Sequence, residues 1–593
     1  MYRIIKSYSS SVSMQTLRRF GYLAGILTTS LPAAANAATV ANPICPSEVV
    51  LYNPGNGEDI VVPDGFRVSV FASRLNFPTG IAFRMKGQSR EFEVFVLESG
   101  HGLPSRCNEQ DSFGTGQFDP SNPFTPDIVV FNQAGARIGG PLGKPSPTGG
   151  FQPAGPAVDI AFEDGLSGGR LFATDSNQAT HAAGQNNSSR IVTVNTMSGQ
   201  VQPFISGLPT GDHPTEQLAF RDGWIYWSQG STTNSGVVGR DNGGGTNQAD
   251  IPCQNITLSQ NVFDSGGGVM TSGYSSFGTQ RPGATVRAFD GALHRGVCDG
   301  SILRARVSSG SATSTIEPYS WGYRNGYAIR FAPEDHALNG QLLVGEDGAD
   351  ERGARPSNNA PDAFHIARQN RDGSPDYHGW PDRYGFLAAS QAVYNPVGGP
   401  GDDLCVPDPT NPPSMCTPAS LAKILTEDRP IRDVLAFPPQ PITSPVATEA
   451  ADSSITGIDF APDSFARGRG PVERGAALYT LEGDFGFSAS NGTPEVGHEV
   501  KLINFSKEEQ PLALKIMRFA YNSTGDQAFV SGARGFNRPT NVRFGPDGCA
   551  WVVDYGAVRD FGQSGTDSKF ITPADAPLVQ IPGTGTIFRI CPR

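Results

Sequence analysis

The sequence predicts an all-β fold, a six-bladed β-propeller, on three observations. A two-part phrase returns six times along the chain, turn pairs stand between its halves, and no helix-period segment separates the copies.

The first half of each phrase is an apolar run ending in Phe, at 78–83, 156–162, 213–220, 324–331, 453–460 and 538–544. The anchors are Phe83, Phe162, Phe220, Phe331, Phe460 and Phe544. The second half is a short strand-like run that usually ends in a carboxylate, at 94–99, 170–175, 224–229, 341–346, 477–482 and 549–554. Asp222-Gly223 and Asp547-Gly548 sit between halves, and such pairs flanked by β-rich runs are strong hairpin signals. Each phrase is therefore two neighbouring strands of one blade. Anchor spacing runs from 58 residues (Phe162 to Phe220) to 129 (Phe331 to Phe460), so the excess over a compact repeat lies in long loops, where function concentrates.

The repeats span nearly all 593 residues without a linker, which predicts one domain over 38–593. Before it, Arg3, Lys6, Arg18 and Arg19 precede an apolar stretch around Phe20 to Leu31 and then Ala35-Asn36-Ala37. That pattern predicts a signal peptide over 1–37 and a soluble secreted or periplasmic protein. Its removal takes away four positive charges and moves the net charge from −12 to −16, which argues against nucleic-acid or anionic-membrane binding. Eight cysteines (45, 107, 253, 298, 405, 416, 549, 591) with no CxxC spacing predict disulfides. Neighbour pairing joins Cys405 to Cys416 and Cys549 to Cys591. Sequons at Asn187, Asn255, Asn491, Asn504 and Asn522 permit glycosylation in a eukaryotic secretory pathway.

Equivalent propeller positions lie at equal radius about one axis, so the repeats read as a list of neighbours. Phe77, Gly155, His213, Arg324 with Asn325, Ser453 and Arg538 precede the six first strands. Two arginines and a histidine at one tunnel mouth suit a ligand rich in carboxylates or phosphates, with His213 as a general base. The plain alternative is that these residues pair with local acids and close the axis. The second strands end in Glu98, Asp175, Gln229, Glu346, Glu482 and Asp554. Five acids at equivalent positions suggest either a bound cation, calcium foremost, or a solvated rim.

Residues 345–381 (GEDGADERGARPSNNAPDAFHIARQNRDGSPDYHGWP), RNGYAIRF before them, HPTEQLAFRDGWIYWSQGSTTNSG (213–236) and VPDGFRVSVFA (62–72) resemble the soluble quinoprotein sugar dehydrogenases. That family includes soluble glucose, aldose sugar, sorbosone-type and fungal pyranose dehydrogenases. The resemblance implies a six-bladed propeller holding pyrroloquinoline quinone (PQQ) and calcium. It implies His213 as the base for the sugar hydroxyl, Arg324 and Asn325 beside the quinone oxygens, and Arg538 on a cofactor carboxylate. It places Asp347, Gly348, Ala349 and Asp362 in the calcium loop, where backbone carbonyls do much of the ligation. It also implies an external electron acceptor, a cytochrome or a quinone. Tyr377 and Trp380 read as packing residues.

The chain departs from the family twice. Gln229 and Ser231 stand where relatives of glucose dehydrogenase orient the histidine with an Asp, and Glu482-Gly483-Asp484 replaces a cationic clamp in the fifth blade. Two other readings accompany the dehydrogenase: a calcium-dependent lactonase or esterase, and a propeller that binds a ligand without catalysis.

Overall fold

The computed structural model describes residues 37–43, 46, 48–100, 123–147, 149–153, 155–177, 188–238, 249–264, 270–274, 282–288, 296–308, 316–350, 355, 360–386, 433–466, 470–483, 496–506, 512–560 and 578–593. The expected signal peptide up to Asn36, Cys45, Cys107, Cys405, Cys416, Asp484 and the sequons at Asn187 and Asn491 lie outside the described residues.

Six antiparallel sheets form the blades, and every predicted hairpin is the inner pair of one of them. Blade 1 is Pro78–Met85, Phe92–Glu98, Asp127–Asn132 and Arg137–Leu142. Blade 2 is Ile160–Phe162, Leu171–Asp175, Ser189–Val194 and Val201–Leu208. Blade 3 is Thr215–Arg221, Trp224–Gln229, Ser301–Arg306 and Glu317–Trp321, extended by the parallel pair Asp376–Tyr377. Blade 4 is Asn325–Phe331, Leu342–Asp347, Ala363–Ala367 and Ala447–Thr448. Blade 5 is Ile455–Phe460, Ala477–Leu481, Glu499–Ser506 and Ala513–Asn522, with Ile60–Val61 at its edge. Blade 6 is Pro539–Phe544, Ala550–Asp554 and Gly585–Pro592, and its fourth strand, Phe66–Leu75, comes from the other end of the chain. Each inner strand lies against the next, and Pro539–Phe544 lies against Pro78–Met85, so the ring closes.

Local chemistry explains the hairpins. Asp222 and Gly223 both have positive φ (51° and 74°), the type I′ geometry that matches strand twist. The Phe anchors end the inner strands, opposite Val94, Leu171, Ile225, Leu342, Ala477 and Ala550, and pack between blades. The cysteines at 549 and 591 are bonded as predicted, tying neighbouring strands of blade 6, and Cys253 is bonded to Cys298. Two of the sequons are structural. Asn504 holds Glu473 N–H and the Pro471 carbonyl, and Asn522 holds Phe536 N–H and the carbonyls of Asp526 and Phe536. Both are buried, whereas Asn255 is exposed. Among the described residues no helix is long and apolar enough to cross a membrane.

Ring closure depends on Phe66, which is buried with its ring 4.7 Å from Phe465 and 5.2 Å from Phe519. Phe66→Ala empties that seam, and the expected loss is about 3–5 kcal/mol. A urea midpoint unchanged from the parent would refute this account of closure.

Candidate active site

The inner strands of blades 1, 3, 4, 5 and 6 share one irregularity. Their register shifts near the top, between Pro78 and Gly80, Thr215 and Leu218, Asn325 and Ala328, Ile455 and Gly457, and Pro539 and Asn541. Each bulge inserts an extra residue beside the axis and re-aims side chains there. Bulging also frees backbone N–H groups from the ladder, and these need new acceptors.

The second-strand carboxylates take other amides, those of the segments that lead into the inner strands. Glu98 accepts from Asn76 N–H (2.6 Å), Asp175 from Gln152 N–H (2.9 Å), Glu346 from Arg324 N–H (2.7 Å) and Asp554 from Asn537 N–H (2.7 Å). Each acid thus holds the segment leading into the inner strand of its own blade. Neither a calcium ring nor a solvated rim describes them, because they are buried and individually committed to backbone. Gln229 accepts from Thr215 Oγ1 and donates to the Pro209 carbonyl, doing the same work without charge. Glu482 alone faces the axis.

The mouth is built on blades 3 and 4. His213 N–H donates to the Ser231 carbonyl and Ser231 N–H donates to the Arg324 carbonyl, so the two residues share one backbone frame. Gly230 is obligatory beneath the histidine, since a Cβ there would overlap His213 Cβ. Asp212 joins the side chains: its Oδ2 lies 3.3 Å from His213 Nδ1 and 3.3 Å from Arg324 Nη2. Asp350 Oδ2 takes Arg324 Nη2 at 2.6 Å, and Asn234 fixes Asp350 through its backbone N–H and carbonyl. The carboxylate beside the histidine thus comes from the residue next to it in sequence, and not from the stretch at Gln229 and Ser231. Arg324 Nε and Asn325 Oδ1 are buried and make no hydrogen bond.

Across the mouth, Arg538 is fully buried and donates through Nη1 to the Gly483 carbonyl (2.9 Å). His498 packs against Gly483, beside the backbone of Glu482 and Asn537. Burial, with Arg538 beside it, keeps its ring neutral. Below lie the acids. Burial pushes the Glu482 carboxyl up to about 7 despite the pull of Arg538, and burial and Glu482 raise Glu216 well above the usual range. Tyr327, in the blade 4 bulge, feels Glu216, Glu482 and Asp347. The floor crosses the axis. Gln217 Nε2 donates to the Thr456 carbonyl, Arg543 Nη2 donates to Gln217 Oε1 and lies 3.5 Å from Asp159, and Asn541 Nδ2 donates to the Thr79 carbonyl. The result is a cup with a cationic rim, an acidic wall and a closed floor.

The calcium-loop residues are divided. Asp362 accepts from Gly348 N–H (2.8 Å) and Ser454 N–H (2.6 Å), linking blades 4 and 5. Asp347 Oδ2 accepts from Asn325 Nδ2, while its buried Oδ1 makes no hydrogen bond. Burial, then Asp362, raise the Asp347 carboxyl against the pull of Arg324. A Cβ on Gly348 would sit 2.8 Å from both the Ala360 and Pro361 carbonyl oxygens, so two main-chain oxygens converge on that glycine. Ala349 packs into the apolar core. Tyr377 and Trp380 are packing residues as expected, the Tyr377 hydroxyl donating to the Gly379 and Trp380 carbonyls. Among the described residues, the side-chain cluster dense enough to hold an ion is Asp547 with Cys549 and Cys591, and those cysteines are bonded to each other.

No protein-family model matches this chain, and no curated protein does. Solved structures similar to it include three proteins. The holo form of the pyranose dehydrogenase PQQ domain from Coprinopsis cinerea is 12% identical over 90% of this chain and 97% of its own, with a TM-score of 0.47. The calcium structure of a Trichoderma reesei carbohydrate-active enzyme of family AA12 is 13% identical over 90% and 97%, with a TM-score of 0.45. The PQQ-bound aldose sugar dehydrogenase from Streptomyces coelicolor is 15% identical over 90% and 99%, with a TM-score of 0.41.

Glu482 gives this site a pH signature. An exposed carboxyl in the unfolded chain titrates near 4.5, whereas the folded one holds its proton to about 7. Between those values the folded state binds more protons, so stability falls as pH rises and levels off above about 7. Glu482→Gln should flatten this window by on the order of 1–3 kcal/mol. Urea midpoints at pH 5 and pH 8 that change equally in variant and parent would contradict it.

Proposed function

We propose that the chain is a quinoprotein dehydrogenase that oxidises a sugar or a related alcohol or aldehyde and passes the electrons to an external acceptor, a cytochrome or a quinone. One observation carries this reading: an imidazole and a guanidinium share the Asp212 carboxylate at the mouth of a closed axial cup. Two disulfides fit an exported protein, secreted or periplasmic.

The residues present fit the cofactor the reading requires. Arg324 Nε is a buried donor and Asn325 Oδ1 a buried polar atom, neither with a hydrogen bond of its own, and Arg538 lies across the mouth. PQQ is a planar tricarboxylate, and cationic forks of this kind are its natural clamps. For calcium, Asp347 Oδ1 and the main-chain carbonyls of Ala360 and Pro361 beside Gly348 would offer oxygen donors of the kind that ion prefers. Bound PQQ supplies the hydride acceptor, and calcium its polarisation.

The chain itself handles the proton. With Asp212 beside Nδ1, Nε2 is the ring nitrogen that takes the substrate hydroxyl proton, and the carboxylate stabilises the imidazolium formed. The alcohol carbon then loses a hydride and becomes a carbonyl. Arg324, held by Asp212 and Asp350, keeps its remaining N–H groups aimed at one place, so binding requires little rearrangement. Burial raises the Glu216 carboxyl well above the usual range, which lessens its repulsion of an anionic cofactor.

The test is a titration of EDTA-treated protein with PQQ, with and without calcium, followed by absorbance and by dye reduction over a sugar panel. Calcium-dependent binding with dye reduction is expected. His213→Ala should retain PQQ binding while turnover falls by roughly 10²-fold or more. Absence of binding at about tens of micromolar PQQ, far weaker than a resident cofactor requires, would overturn the reading.

A further inference from the structure

The DYHGWP segment belongs to a buried polar chain that the proposed chemistry does not use. Glu346 Oε1 accepts the Arg324 backbone N–H at 2.7 Å, and Glu346 Oε2 lies 2.7 Å from His365 Nε2. His365 Nδ1 lies 3.1 Å from His378 Nδ1, and His378 Nε2 lies 3.3 Å from Asp376 Oδ2. Asp376 Oδ1 accepts from Thr443 Oγ1, and the exposed Arg368 stands 3.7 Å from Asp376 Oδ2. Tyr323 stacks on His378 at 4.7 Å and meets His365 edge-on.

The chain crosses a blade seam. Glu346 and His365 lie on the second and third strands of blade 4, while Asp376 and His378 belong to the strand added to blade 3 and the turn after it. Propeller seams are mostly apolar, and four titratable groups buried in one are expensive unless each satisfies the next. Glu346 Oε2 accepts from His365 Nε2–H, and one hydrogen bond joins the Nδ1 atoms of the two rings. Asp376 stands beside His378 Nε2 on the far side, and burial lowers that ring's pKa to about 4. Each ring is thereby locked in one orientation, and the lock ends on the backbone of Arg324.

We propose that Glu346, His365, His378 and Asp376 are positioning residues that transmit the blade 3–blade 4 seam to Arg324 and so set the aim of its guanidinium into the cup. Its functional consequence rests on the dehydrogenase reading, whereas its structural content does not. Arg324 is the residue whose aim matters most, because both carboxylates that hold its side chain, Asp212 and Asp350, sit on loops. The buried strands behind Glu346 are the rigid reference.

The test uses the full chain labelled with 15N-histidine and 15N-arginine, free of PQQ, and then titrated with PQQ and calcium. In the parent, NMR should show a coupling across the hydrogen bond between the Nδ1 atoms of His365 and His378. His378→Phe keeps the stack on Tyr323 and deletes the bond to His365. It should shift the Arg324 amide and Nε resonances and weaken PQQ binding roughly tenfold or more. His365→Gln, which can still donate to Glu346, should stay within about twofold of the parent, whereas His365→Leu should match His378→Phe. If His378→Phe does not fold, the His365→Gln and His365→Leu pair decides. Unmoved Arg324 resonances in the leucine or phenylalanine variants, or no coupling between the two Nδ1 atoms in the parent, would overturn the proposal. Absence of PQQ binding by the parent would sink the dehydrogenase reading alone, and the NMR arm would still decide the positioning chain.

Discussion

The hydrogen bond from a second-strand acid to the backbone just before the inner strand is the interaction on which this propeller depends. A propeller tapers toward its axis, and bulges let the inner strands turn into that narrowing space. The segments leading into the inner strands lie outside the ladder, and a buried amide left unpaired there costs as much as a lost hydrogen bond. Glu98, Asp175, Glu346 and Asp554 remove that cost in four of the blades. The segment beyond each capped amide is thereby held to the rigid second strand. Arg324 and the Asn537–Arg538 segment are placed this way, which is why the rim of the cup is built of backbone-anchored residues.

Blade 5 shows what happens when the rule is relaxed. Its acid, Glu482, faces the axis, and the backbone around it is held instead by Asp362 through Ser454 N–H and by His498 against Gly483. Two residues borrowed from elsewhere replace one cap. The exchange leaves a carboxyl beside Arg538 in the cup and moves the linking role to Asp362, whose two oxygens join the calcium-loop segment to the next blade. A sequence comparison sees only a missing clamp at 482–484; the packing shows a redistribution of supports.

The fold was legible because its signals are local. A Phe anchor, a turn pair and a second apolar run fall within about twenty residues, and each hairpin's register is set by its turn. The caps were legible in principle, since acid and amide stand 22, 23, 22 and 17 residues apart in the four blades. They were read as a ring about the axis because equivalent positions suggest convergence, and nothing in a sequence says whether a strand-end carboxylate turns inward or back along its own blade. The repeat alignment picks out His213, Arg324, Asn325 and Arg538, whereas it does not mark Asp212 beside the histidine, whose contact with Arg324 depends on a backbone turn. Asn504 and Asn522 carry the sequon pattern, but their amides are consumed by buried backbone groups, which a three-residue pattern cannot reveal.

Electrostatics links these parts. The cup opposes two arginines at the rim to Glu216, Glu482 and Asp347 below, and a tricarboxylate entering it would meet attraction first and repulsion second if all three acids were charged. Burial eases the conflict by raising all three carboxyls, so the wall carries less negative charge than three free carboxylates would. A protonated carboxyl is also a hydrogen-bond donor, and in that state the wall offers donors to an anionic ligand. Deprotonating Glu482 near pH 7 would reverse that contribution at one point of the wall, next to Arg538. Affinity for an anionic ligand should accordingly weaken from slightly acidic to slightly basic pH, with the change centred on Glu482 rather than on the rim.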